Sequence, residues 1–136
     1  MSNLDNNAGP SVHMMRSQLG RARGLGSAKI GVQHWWAQRV TAVALLPLSL
    51  YFVLSVIRLE GHSRAQMAEF IGRPWNTVLY LCLIAALFYH LALGVQVVIE
   101  DYVHKDSTRI ASLLAVKGAC FFCALACAVS VLKLAF

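Results

Sequence analysis

The sequence predicts an all-α membrane protein of three transmembrane helices, and three observations carry that prediction. Of 136 residues, 58% are hydrophobic and only 13% are charged, a balance that ordinary soluble domains do not have. The apolar residues gather into three runs, at about residues 35–57, 75–99 and 110–132, each matching the roughly 20 helical residues that cross a hydrocarbon core of about 30 Å. None of the runs alternates in polarity as barrel strands do, and open strands would leave backbone groups unpaired in lipid, so each run is expected to be a helix.

The first run is entered through GVQHWWAQRVTAVAL, residues 31–45. Trp35 and Trp36 suit the membrane interface, and Arg39 lies just inside, where a long side chain either snorkels to the surface or pairs with a buried carboxylate such as a haem propionate. His34 has the same two readings, an interfacial side chain or a propionate contact. Pro47 is expected to kink this helix by removing one donor and crowding the preceding turn. Between the first two runs, Gly61, His62 and Ser63 mark a turn, and residues 67–71 form a short amphipathic stretch suited to the interface.

The third run carries Cys120, Cys123 and Cys127 on one helical face, while Cys82 belongs to the second. Small packing residues fit that spacing; a disulfide or metal site is the alternative, but intramembrane thiols meet little oxidant and these lack partner ligands. Lys117 is close enough to the start of the third run to snorkel.

Orientation follows from Lys and Arg near the span ends. Arg16, Arg21, Arg23, Lys29, Arg39, Lys105, Arg109 and Lys117 fall on one side, against Arg58, Arg64, Arg73 and Lys133 on the other. The N-terminus is therefore expected to be cytoplasmic and the C-terminus across the membrane. Residues 1–30 are polar and lack the apolar run of a secretory signal, so they read as a flexible cytoplasmic arm ahead of the anchor, residues 31–136. The net charge of +6 reads as topology and lipid contact, with no aromatic–basic interleaving of the kind that binds nucleic acid.

The most informative stretch is FYHLALGVQVVIEDYVH, residues 88–104. His90 precedes Glu100 by ten residues, about 15 Å of helix, which sets its imidazole near mid-membrane. An ionisable group at that depth marks a functional site by default. Ala86 and Gly94, one helical turn to either side, keep the surrounding face small enough for a flat macrocycle. A neutral imidazole is a common ligand of haem iron; the other reading is a histidine bonded to a neighbouring helix.

Eleven residues after His90 comes Asp101, which at about 100° per residue returns to nearly the same face, about 16 Å along the axis. Tyr102 follows it. An aromatic-belt anchor is the plain reading of Tyr102. Together, a phenol donor and a carboxylate suit the carbonyl head of a quinone whose tail lies in lipid, with Asp101 orienting a basic partner or relaying a proton.

Two motifs carry a resemblance. Gly-x-x-His-x-x-x-x-Arg-x-Thr-Ala opens the first span at Gly31, and His-x-x-x-Gly-x-x-x-x-x-x-Asp-Tyr closes the second from His90. With them, residues 25–136 resemble the small hydrophobic membrane-anchor subunit of succinate dehydrogenase, respiratory complex II, in its alphaproteobacterial and mitochondrial branch. The second motif is the more specific, because a mid-span histidine, the glycine four residues on and the terminal Asp-Tyr must coincide.

The resemblance implies a helical bundle formed with a second, larger cytochrome b anchor subunit in a bacterial cytoplasmic or mitochondrial inner membrane. It implies that His90 is an axial ligand of haem b, with the second axial histidine on the larger anchor. Tyr102 matches the hydrogen-bond donor to ubiquinone, Asp101 the neighbouring acid, and Arg39 the arginine near the haem propionates. In some members a histidine stands where the local alignment puts Gln33, whereas this chain has His34 next door. The chain has no dinucleotide fingerprint and no cysteine set for iron–sulfur clusters. A flavoprotein and an iron–sulfur subunit are therefore the implied partners in succinate:quinone oxidoreductase, and this chain alone does not catalyse it. Three other classes are a cofactor-free structural anchor, an ion carrier, and a cytochrome b anchor of another respiratory enzyme. The carrier needs ionisable residues through several spans, and only His90 and Lys117 lie well inside; the other cytochrome usually supplies both axial histidines itself.

Overall fold

The computed structural model describes residues 29–136, with side chains from residue 31; the N-terminal arm, with Arg16, Arg21 and Arg23, lies outside the described residues. Every regular element among them is a helix: α1 (Lys29–Leu59), α2 (Arg64–Gly72), α3 (Pro74–Tyr102) and α4 (Asp106–Ala135). The three long helices coincide with the three apolar runs and extend beyond them. At 29 to 31 residues each they measure about 44–46 Å, longer than the hydrocarbon core of about 30 Å, so their ends reach the headgroup layers or the helices tilt.

The ends of the helices have local causes. α1 runs through Pro47 as one helix, which a span tolerates when only one donor is lost. It stops at Gly61, whose φ of 78° is the left-handed conformation that glycine adopts without strain. The Ser63 hydroxyl then accepts from the Gln66 backbone N–H at 3.4 Å while the Gln66 side chain accepts from the Ser63 N–H at 2.9 Å, a reciprocal cap that starts α2. The expected interfacial stretch is thus a helix of nine residues, with Met67, Ala68, Phe70 and Ile71 partly covered. Gly72 lets it approach α4 closely: a Cβ there would stand 3.3 Å from the Ala135 carbonyl oxygen. Pro74 opens α3 in the first-turn position where its missing N–H costs nothing. Asp106 opens α4 with its carboxylate 2.7 Å from the Arg109 guanidinium, a charge placed favourably at a helix N-terminus.

α3 packs closely against α4, whereas α1 meets α3 through side-chain contacts. Near one end of α3 the Tyr51 hydroxyl donates to Asn76 Oδ1 at 2.7 Å, and Asn76 Nδ2 donates to the Phe70 carbonyl at 2.6 Å. The rings of Tyr51 and Phe52 meet Tyr80 edge to face. Toward the other end of α3, Gln38 and Thr41 meet His90. As α1 advances its partners recede along α3, so the two helices are antiparallel.

Little of this bundle is its own core. Among the described residues the buried side chains are Ser55, Asn76, Thr77, Tyr80 and Leu93, and in the most apolar window of each span 6%, 6% and 0% of residues are buried. The remaining apolar surface faces outward. That is the composition of a chain whose surroundings are lipid and other membrane helices, since without a water-driven hydrophobic effect spans need not bury their apolar side chains in each other. Of the three cysteines expected to pack on the third helix, Cys120 is partly covered, while Cys123 and Cys127 are exposed and so do not pack within this chain.

Candidate functional site

The polar residues inside the membrane are brought together by the periods of two helices. On α1, His34, Gln38 and Thr41 recur at intervals of four and three residues, which puts them on one face. That face meets His90 of α3. Thr41 Oγ1 lies 2.9 Å from His90 Nδ1, and Gln38 Nε2 lies 3.4 Å from His90 Nε2. Gly94, one turn beyond His90, makes the room: a Cβ there would stand 3.5 Å from the Gln38 amide nitrogen. The small stripe expected around His90 is therefore used, at Gly94, to admit a side chain of this same chain.

Hydrogen-bond accounting assigns the protons. Thr41 Oγ1 is 2.7 Å from the Ala37 carbonyl and 3.1 Å from that of Gln38. A carbonyl only accepts, so the single hydroxyl proton is directed to the helix backbone. With the hydroxyl proton so directed, Thr41 Oγ1 accepts from His90 Nδ1–H, which leaves the Nε2 lone pair toward the Gln38 amide N–H. Two buried atoms of the cluster, His34 Nε2 and Gln38 Oε1, find no hydrogen-bond partner among the described residues. An unmet buried polar atom costs about 1–3 kcal/mol. A donor for Gln38 Oε1 and a partner for His34 would complete the cluster.

Among the described residues, no three His, Cys, Asp or Glu side chains gather as a metal site would require. At this cluster the group placed to bind a metal is the His90 imidazole, held at Nδ1 by Thr41 and met at Nε2 by the long Gln38 contact. That donor would fit a haem iron bound through His90 Nε2.

The other expected site residues lie apart from this cluster. Arg39, one residue beyond Gln38, is exposed, and its guanidinium carbon sits 5.5 Å from the centroid of the Trp35 ring, a cation–π arrangement. Trp35 meets Trp36 edge to face at 5.3 Å. Asp101 and Tyr102 close α3 at the same end of the bundle as His34, since α1 and α3 are antiparallel. Tyr102 is 78% exposed, so its hydroxyl is free to meet a ligand or a partner subunit. It stands twelve residues from His90, about 18 Å along the helix. Arg39 and Tyr102 are therefore outward-facing groups and His90 an inward-facing one.

Gln38 and the contact role of Thr41 were not among the candidate residues read from the sequence. Their signal was present, as a polar stripe at helical spacing through an apolar span, with His34 as its first member.

Comparison with known proteins places the chain in a family. Residues 14–127 match the profile of the succinate dehydrogenase/fumarate reductase transmembrane subunit family. The chain is 34% identical over 102 residues to the succinate dehydrogenase hydrophobic membrane anchor subunit of Rickettsia bellii, covering 75% of this chain and 82% of that protein. It is 37% identical over 93 residues to the corresponding subunit of Paracoccus denitrificans, covering 68% and 71%. Against the succinate dehydrogenase membrane anchor subunit of Reclinomonas americana the identity is 35% over 92 residues, covering 65% and 77%. No solved structure matches the chain. With its three membrane-spanning helices, the chain is a multi-pass membrane protein and belongs to the succinate dehydrogenase/fumarate reductase transmembrane subunit family, among the succinate dehydrogenase membrane anchors.

Proposed function

We propose that this chain is the small membrane anchor of a succinate:quinone oxidoreductase, that it supplies one axial ligand of haem b through His90, and that it forms part of the ubiquinone site through Tyr102 and Asp101. The carrying observation is the His90 ring, held at Nδ1 by Thr41 and presenting its Nε2 lone pair inside the membrane. Family membership supports a complex with a flavoprotein, an iron–sulfur subunit and a larger cytochrome b anchor, which would supply a second histidine to the haem. The extensive outward apolar surface of the three helices supports that packing.

When bound, haem b supplies a one-electron store beside the path from the iron–sulfur subunit to quinone. His90 fixes its iron. Arg39, exposed beside the Trp35 ring, would offer its guanidinium to a propionate as a bidentate donor. Tyr102 donates its hydroxyl proton in a hydrogen bond to a quinone carbonyl, and that bond strengthens as negative charge develops on the oxygen. Asp101 stands beside it to orient a basic group or pass a proton from the aqueous side. The Lys and Arg distribution supports a cytoplasmic or matrix position for this end of α3, the side on which the partner subunits would oxidise succinate.

The test is a reduced-minus-oxidised optical spectrum of the purified complex, wild type against His90→Ala. A b-type signal that disappears in the variant is the expected result. A signal that persists unchanged would assign the iron to other residues, and a wild-type complex with no signal would make the chain a cofactor-free anchor.

A further inference from the structure

We propose that Thr41 is the positioning residue of His90: its hydroxyl fixes the ring as the Nδ1–H tautomer, and so delivers the Nε2 lone pair to the haem iron and tunes it. The inference rests on His90 being an axial ligand. It goes beyond that reading by assigning the residue that decides which nitrogen binds and how strongly.

The geometry is a relay with one direction. The Thr41 proton is committed to the Ala37 carbonyl at 2.7 Å, the shortest contact of the hydroxyl. Its oxygen can then only accept from His90, at 2.9 Å. Nδ1 is thereby the protonated nitrogen, and Nε2 is the ligating one. A threonine suits this task because its β-branched side chain is stiff and, on a helix, bonds the carbonyl one turn back, so the acceptor is held by α1 and not by the ring it orients. Three residues before Thr41, Gln38 keeps an amide N–H near Nε2 at 3.4 Å, a long bond that yields readily to a stronger ligand. Gln38 thus guards the lone pair without saturating it.

A hydrogen bond accepted from Nδ1–H raises the basicity of the coordinating nitrogen. A more basic ligand favours the ferric over the ferrous ion. Removing the acceptor is therefore expected to make the haem easier to reduce, whereas a hydroxyl in any side chain at the same position preserves the wild-type behaviour. This separates positioning from packing. Valine keeps the shape of threonine and loses the oxygen; serine keeps the oxygen and loses the methyl group.

The experiment uses the assembled complex with wild-type, Thr41→Val, Thr41→Ser and His90→Ala chains, and reads haem content and the haem midpoint potential by optical titration. The expected result for Thr41→Val is a ferrous-to-ferric ratio up to tenfold higher at a fixed ambient potential, an upward shift of as much as about 59 mV for a one-electron couple, with Thr41→Ser close to wild type. Loss of haem in Thr41→Val but not in Thr41→Ser supports the proposal equally, because only the hydroxyl separates the two. A potential unchanged in Thr41→Val at full haem content overturns it, as does a shift shared equally by the serine variant. His90→Ala keeps the two readings apart: haem retained there refutes the ligand assignment itself, while haem lost there with an indifferent Thr41→Val refutes the positioning role alone.

Discussion

The Tyr51 hydroxyl donates to Asn76 Oδ1 at 2.7 Å and joins α1 to α3 at the end of the bundle remote from Tyr102. Asn76 is buried and also donates to the Phe70 carbonyl, so one amide ties three helices together. Hydrogen bonds between membrane helices contribute about 0.6 kcal/mol on average and up to about 1.7 kcal/mol. Tyr51→Phe keeps the edge-to-face packing on Tyr80 and loses only the hydroxyl, so its expected cost is near that average. Asn76→Leu abandons both bonds and strands the Phe70 carbonyl, at an expected cost of about 1–3 kcal/mol. Thermal dissociation of the purified complex measures the order, wild type above Tyr51→Phe above Asn76→Leu, and an Asn76→Leu complex as stable as wild type would refute the clasp.

Tyr102 is held by no packing in this chain, being 78% exposed, so Tyr102→Phe is expected to leave the fold and the haem intact. Its effect is expected in quinone reduction alone. Removing one donor to a developing oxyanion costs about 10²-fold in kcat. The check is succinate-dependent quinone reduction beside succinate-dependent reduction of a dye that takes electrons before the membrane. The first is expected to fall and the second to hold; an unchanged first rate would make Tyr102 an interfacial anchor.

The fold was legible because lipid permits few solutions. Apolar runs of this length have to be helices, and α1, α3 and α4 stand where the runs at residues 35–57, 75–99 and 110–132 stand. The helices overshoot those runs, since Lys29, Gln33 and Asp106 are polar yet continue the helical hydrogen bonding into the headgroup layer. His90 was legible as a polar group at mid-span. Its partners were not, because helical period gives the face of each helix but not which faces meet. Gln38 and Thr41 became visible as site residues only once α1 was set antiparallel to α3. The exposure of Cys123 and Cys127 was illegible for the same reason: a stripe of small residues suits an inward and an outward face alike.

Gly94 offers a graded test of the room around Gln38. A Cβ there would make ordinary contact, 3.5 Å from the Gln38 amide nitrogen, so Gly94→Ala is expected to be tolerated and even to favour the helix slightly. Gly94→Val adds two more carbons where Gln38 already stands. Overpacking of this kind costs about 1–3 kcal/mol, and it pushes Gln38 toward the His90 ring. Haem content of the purified complex is expected to stay at wild-type level in Gly94→Ala and to drop in Gly94→Val. Full haem content in both would show that the Gln38 side chain moves freely away.

The sidedness of the anchor follows from three spans and an uneven charge. An odd number of crossings puts the start of α1 and the end of α4 on opposite sides, and the antiparallel pair α1–α3 puts Tyr102 on the side where α1 begins. By the positive-inside rule that side is expected to be the cytoplasmic one, since the sequence assigns eight Lys and Arg to it and four to the other. The rule counts basic residues without subtracting acidic ones, so the Arg109–Asp106 pair at 2.7 Å does not weaken the bias. In a bacterial host, alkaline phosphatase fused after Phe136 is therefore expected to be active, since it folds only outside the cytoplasm, and the same reporter inserted between Val103 and Lys105 is expected to be inactive. The reverse pattern would invert the anchor.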